Sequence, residues 1–224
     1  MKTPLFDSWT EKYDSWFDTP VGQYVKKYEL ALLLELLNPQ PGELILDAGC
    51  GTGVFTGDII NCGTSVVGMD LSVPMVAKGD RLMGSMDFNG ICGDMCALPF
   101  SDNSFDRVFS MTAIEFIPGG AQTISELNRV VKKGGCVVIT TLNSLSSWAE
   151  RRMQKAEEGH SLFQNIIFRS PSDMRLLIPK EHVIKTAIHF QKSESIENIP
   201  HIEERGSKLH LDTGAFLAVQ WLKK

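Results

Sequence analysis

Leu46-Asp47-Ala48-Gly49-Cys50-Gly51-Thr52-Gly53 is the stretch on which the fold turns. It follows a short β-run over residues 43–47 and opens a helix expected over 53–61. Glycines at alternate positions let the backbone turn sharply and let a ligand approach it without meeting any Cβ. The helix that follows presents unpaired N–H groups and a partial positive end, which hold a carboxylate as readily as a phosphate. Asp70 ends the next β-run, residues 65–70. A carboxylate there can accept hydrogen bonds from both ribose hydroxyls of a nucleoside lying across the strand ends. The competing reading makes Asp70 the N-cap of the helix after it.

Dinucleotide-binding loops share this logic, but their fingerprint, GxGxxG, needs a sixth-position glycine, and counting from Gly49 that position is Val54. Asp47 stands two residues before the first glycine. Its carboxylate would repel a pyrophosphate and attract an α-ammonium. The loop therefore favours a nucleoside joined to an amino acid.

Outward from the loop, strand and helix alternate. A helix over 28–37 is stopped by Asn38-Pro39-Gln40-Pro41-Gly42, because proline disfavours helix at and before itself. A helix is expected over 74–82 and strands over 90–92 and 105–111; a second helix, 121–131, stops at Lys132-Lys133-Gly134-Gly135, and a strand follows over 136–141. This alternation argues for a parallel sheet with helices on both faces. Beyond Asn143 the pattern weakens: helices over 146–158 and 170–177 and strands over 183–191 and 214–221 are expected, the last inserted beside its neighbours.

Four blocks, in order, resemble the class I S-adenosylmethionine-dependent methyltransferases, especially the branch holding quinone C-methyltransferases and many small-molecule enzymes. They are the glycine loop, Val67-Gly68-Met69-Asp70-Leu71-Ser72 with Met75, the turn from Gly93-Asp94-Met95 to Asp106, and Leu127 to Gly135; together they span about 100 residues. The resemblance implies a Rossmann-like fold with a mostly parallel seven-stranded sheet and an antiparallel last strand. It implies S-adenosylmethionine as cofactor, held by Asp47, Gly49, Cys50, Gly51, Gly53, Asp70, Leu71, Met75, Gly93, Asp94, Met95, Ser110 and Met111. Asp94 would bond the adenine amino group, with a turn-forming role as the plain alternative. Methyl transfer of this kind needs the acceptor close and aligned, a contribution of about 7–11 kcal/mol, and no catalytic triad. The organisation expected is one domain over 1–224, with a helical lid (1–37), a cofactor-binding core (43–141), and a substrate-side insertion with terminal strands (142–224).

On the acceptor side Glu115 follows the fourth strand. It either orients or deprotonates a nucleophile, attracts an amine, or is a solvated or salt-bridged carboxylate. The aromatics Tyr13, Trp16, Phe17 and Tyr24 either close a lid, with Tyr13 and Tyr24 nearest the cofactor, or pack as an ordinary helix face. Arg151, Arg152 and Arg169 suit an acidic substrate group or a solvated helix face. Trp148, Leu162, Phe163, Ile166, Ile167 and Phe168 suit an aromatic acceptor or a core. All five histidines fall in the C-terminal third without zinc spacing.

A net charge of −5 without a basic cluster argues against nucleic acid as partner, and no apolar run is long enough to span a membrane. Cys50, Cys62, Cys92, Cys96 and Cys136 form no CxxC pair, which points to reduced, mostly buried thiols in a cytoplasmic protein and to no metal site. The function expected is methyl transfer to a small molecule at O, N, C or S. A non-catalytic adenosyl-binding domain and a nicotinamide oxidoreductase are the alternatives, and the sequence leaves the oligomeric state open.

Overall fold

The computed structural model describes residues 5–7 and 9–224, and the side chains at 11–13 fall outside the described set, so the expectation for Tyr13 lies outside the described residues. Helices α1 (Thr10–Ser15) and α2 (Pro20–Leu37) precede β1 (Leu44–Ala48), α3 (Thr56–Ile60), β2 (Ser65–Asp70), α4 (Val73–Met83), β3 (Phe88–Cys92) and β4 (Phe105–Ser110). Then come α5 (Ala121–Val130), β5 (Val131–Leu142), α6 (Ser147–Glu157), α7 (Pro171–Leu177), β6 (Val183–Ala187), α8 (Ile199–Lys208) and β7 (Phe216–Leu222). The strands form one seven-stranded sheet in the order β3-β2-β1-β4-β5-β7-β6. Pairing is parallel from β3 to β5, and β7 runs antiparallel to both β5 and β6. The Rossmann-like architecture expected from the sequence, with its inserted last strand, is the one observed.

Period-two alternation makes the strands two-sided. Ile45, Phe109, Val138 and Phe216 point to a core closed by α2, α3 and α8. Their neighbours Leu46, Val108, Val137 and Leu217 point to a second core closed by α5 and α7. Helix starts follow local chemistry. The Thr19 hydroxyl accepts from Gly22 N at 3.0 Å, Ser72 and Ser146 cap α4 and α6, and Ser170 with Asp173 forms a reciprocal capping box on α7.

Four sequence expectations change, the first being that β5 begins at Val131, so residues 132–135 lie in the strand rather than between helix and strand. α2 begins eight residues before residue 28, at Pro20, and buries Leu32, Leu33, Leu36 and Leu37. The strand expected over 183–191 ends at Ala187, because Ile188 turns the chain at φ 64°. That conformation is costly for a β-branched residue, and the Glu203 carboxylate secures it by accepting from Ile188 N (2.9 Å) and His189 N (2.7 Å). Of the five cysteines, all free, only Cys136 is buried and Cys92 is exposed, so burial is not their common trait.

Candidate functional site

The strand order reverses between β1 and β4, and at the carboxyl ends of β1, β2, β3 and β4 the chain leaves the sheet in four loops. These loops enclose a cavity of about 400 Å³. Its floor is the glycine loop, where Gly49, Gly51 and Gly53 have φ of 79°, 55° and 81°. A Cβ on Gly49 would stand 2.5 Å from Ala113 Cβ, whereas one on Gly51 would meet no protein atom within 4 Å.

Three carboxylates face this cavity. Asp70 spends one lone pair per oxygen on the backbone: Gly51 N donates to Oδ2 and Ser72 N to Oδ1, both at 2.9 Å. The N-cap of α4 is Ser72, so the capping alternative for Asp70 does not hold. Burial pushes the Asp70 carboxyl above its usual range, against the pull of those two amides. Asp47 is 2% exposed; Oδ2 accepts from the Thr56 hydroxyl at 2.6 Å, and Oδ1, buried, has no partner among the described residues. Burial raises its pKa to about 7. Asp94 forms an Asx turn, accepting from Cys96 N at 2.8 Å through Oδ1, and still lines the cavity.

Cys50, Leu71, Met75, Gly93, Met95 and Met111 also line the wall. Leu71 is 57% exposed there, an apolar surface with no protein cover. Three expected residues do not line it. Ser110 is fully buried behind Gly49. Gly53 faces Met83, whose Cε would be 2.6 Å from an added Cβ. Tyr24 stacks on Tyr28 at 6.2 Å between centroids, held on the sheet side by α2, so it is no lid over this cavity.

The described residues that do reach across are 5–7 and 9–16, with Leu5 and Phe6 in the wall. They are latched to the cavity's own loops. Thr52 Oγ1 donates to Asp14 at 2.6 Å, Ser72 Oγ to Asp7 at 2.6 Å, and Lys78 pairs with Asp14 at 3.0 Å.

A second cavity, about 360 Å³, adjoins the first and shares Phe6, Thr112 and Phe116 with it. Trp16, Phe17, Trp148 and Phe163 give it flat walls, and Glu115 sits on its border. Glu115 is 1% exposed, its Oε2 has no hydrogen-bond partner among the described residues, and burial raises its pKa to about 7. It is therefore no solvated carboxylate. Arg169, also buried, holds the turn bearing Glu115 by donating to the Ile114 and Ile117 carbonyls, both at 2.9 Å. Arg152 encloses Nη1 without a partner. Neither arginine lies on a solvated face. His160 stacks on Phe163 at 4.0 Å in the same wall. Glu29, pushed by burial to about 8, was missed by sequence reasoning. Its signal was a carboxylate on the apolar stripe Val25, Leu32, Leu33, Leu36.

Residues 46–139 match the family model described as methyltransferase domain. A demethylmenaquinone methyltransferase of Renibacterium salmoninarum is 33% identical over 135 residues, 60% of this chain and 56% of that relative. A malonyl-[acyl-carrier protein] O-methyltransferase of Pseudescherichia vulneris is 34% identical over 113 residues, 50% of this chain and 44% of the relative. The chain thus spans about half the length of these curated relatives. A SAM-dependent methyltransferase structure from Thermotoga maritima superposes with TM-score 0.77 at 21% identity, covering 98% of each chain, which establishes a shared fold.

Proposed function

We propose that this chain transfers a methyl group from S-adenosylmethionine to a small-molecule acceptor. The observation that carries the reading is Asp47 Oδ1, a buried, partnerless carboxylate oxygen in the wall of a glycine-floored cavity that also presents Asp70. A buried acceptor without a donor is costly unless a ligand satisfies it. An α-ammonium at Oδ1 does so and returns the Asp47 carboxyl to its ionised form.

The residues present fit the cofactor. Asp70 keeps free lone pairs for ribose hydroxyls; Leu71, Met75 and Met95 offer apolar surface to the base; Asp94 accepts from its amino group. Cys50, Gly51, Gly93 and Met111 complete the wall, with Gly53 and Ser110 supporting it from behind. When bound, the cofactor supplies an electrophilic methyl carbon on a sulfonium. Phe6, Thr112 and Phe116 border both cavities and so orient an acceptor toward the first. Glu115 Oε2 takes the acceptor's proton, a task suited to a carboxyl raised to about 7.

A second cavity of this size, about 360 Å³, suits a small molecule. Residues 1–224 are read as one unit, with 43–141 on the cofactor side, and 142–224 with the N-terminal segment on the acceptor side. The free thiols fit the cytoplasm, and no helix among the described residues is long and apolar enough to cross a membrane.

The test is transfer of labelled methyl from S-adenosylmethionine to a panel of small acceptors, across pH, for the native chain and Glu115→Gln. Transfer should rise with pH through about 7, and the variant should lose about 10²–10⁴-fold in rate while binding the adenosyl ligand normally. A variant that keeps both rate and pH profile removes Glu115 from this role.

A further inference from the structure

Charge is distributed unevenly around the second cavity. Arg151, Arg152 and Lys155 project into it from α6, and Lys192 enters from the chain after β6. Against these four cations stand two carboxylates, Glu29 and Glu115. Both are buried; burial raises them to about 8 and about 7 against the pull of Arg152, so at neutral pH Glu29 is mostly neutral while Glu115 is partly ionised. Among the described residues, the acidic groups that favour the Arg152 cation are these same two glutamates. Lys155 has, among the described residues, a loose ion-pair partner in Glu158 at 3.9 Å. Lys192 lies over the Trp16 ring at 4.4 Å, and its ammonium is disfavoured first by burial and then by Arg151, Arg152 and Lys155. Arg152 lies 5.4 Å from the Trp148 ring, with Nη1 enclosed and without a hydrogen-bond partner among the described residues.

A guanidinium N–H shut away from water without an acceptor is a vacancy for an anion. The aromatic surfaces beside it, Trp16 and Trp148 edge to face at 6.3 Å, fit a flat ring. We infer that the methyl acceptor is a planar aromatic acid, its carboxylate received by Arg152 and Lys192 and its nucleophilic group directed toward Glu115. This deepens the methyltransferase reading and rests on it. A cationic amine, which the two glutamates alone would suggest, meets the four cations and is the disfavoured occupant.

The experiment uses three matched fluorescent probes: a hydroxynaphthoic acid, its carboxamide, and the corresponding aminomethyl compound. Binding to the full chain is followed with and without S-adenosylhomocysteine, in the native protein, Arg152→Gln and Lys192→Gln. The acid should bind about tenfold or more tighter than the carboxamide, and the amine weakest. Each substitution should erase most of the acid's advantage while leaving carboxamide binding unchanged. Lys192→Gln is the safer variant, since its side chain caps no buried carboxylate. An acid that binds no tighter than its carboxamide, or an amine that binds tightest, overturns the inference. Failure of S-adenosylhomocysteine to bind speaks instead against the proposed function, and leaves the acid preference separately readable.

Discussion

Gly49 and Gly51 stand two residues apart in one loop, both at positive φ, yet alanine should act differently at each. A residue with a Cβ pays about 1–2 kcal/mol in the left-handed region, offset by about 0.4–1 kcal/mol because alanine narrows the unfolded ensemble. At Gly51 the new methyl meets no protein atom within 4 Å, so the net loss is about 1 kcal/mol. At Gly49 it lands 2.5 Å from Ala113 Cβ, far inside normal carbon contact, which adds about 1–3 kcal/mol of overpacking. For a chain of this size, about 2–4 °C per kcal/mol gives a Tm drop of about 2–4 °C for Gly51→Ala and about 4–16 °C for Gly49→Ala. Binding should invert the order of interest: Gly51→Ala, nearly native in stability, should weaken S-adenosylhomocysteine about tenfold or more, because its methyl occupies cavity wall. Thermal denaturation and calorimetric titration of both variants measure this. Equal destabilisation by the two, or native affinity in Gly51→Ala, would refute the reasoning.

Two other outcomes are expected. Glu29 and Glu115 have folded pKa values of about 8 and about 7, above their ordinary 4.5. Their contribution to stability is therefore fully present below 4.5 and is lost as pH rises through the folded values. Denaturant midpoints should fall across that window, and Glu29→Gln and Glu115→Gln should each flatten the slope; unchanged slopes would contradict their burial. Asp14→Ala removes the contacts to Thr52 and Lys78, so S-adenosylhomocysteine should dissociate several-fold faster in stopped-flow mixing, with about 1 kcal/mol or less lost in stability.

The first cavity was legible because its chemistry is local. A strand, an alternating glycine loop, a helix and an acidic residue at the next strand end are contiguous in sequence, and their backbone demands are specific to residue type. Ser110 and Gly53 show the limit: adjacency in sequence does not say which face of a loop meets the ligand. Tyr24 shows another, since an aromatic on a helix whose stripe also carries Leu32, Leu33 and Leu36 is drawn to the sheet. The second cavity was legible in part: Glu115, Trp148, Arg152 and Phe163 were named from sequence and line it, whereas Glu29 and Lys192 were not. Glu29, Glu115, Arg152 and Lys192 come from four separate segments, and no spacing rule connects them. Helix α8 escaped for a related reason. Its buried face is Ile199, Glu203 and Gly206, and the glutamate serves the backbone of Ile188 while the glycine admits the His189 ring. An apolar period is absent there because the face does polar and steric work.

The central claim is tested most directly by calorimetric titration of the chain with S-adenosylmethionine, S-adenosylhomocysteine and NADH, repeated on Asp70→Ala. The account predicts saturable binding of both adenosyl ligands, none of NADH, and marked weakening in the variant. A folded native sample that binds neither adenosyl ligand, or that binds NADH and is indifferent to Asp70→Ala, would contradict it.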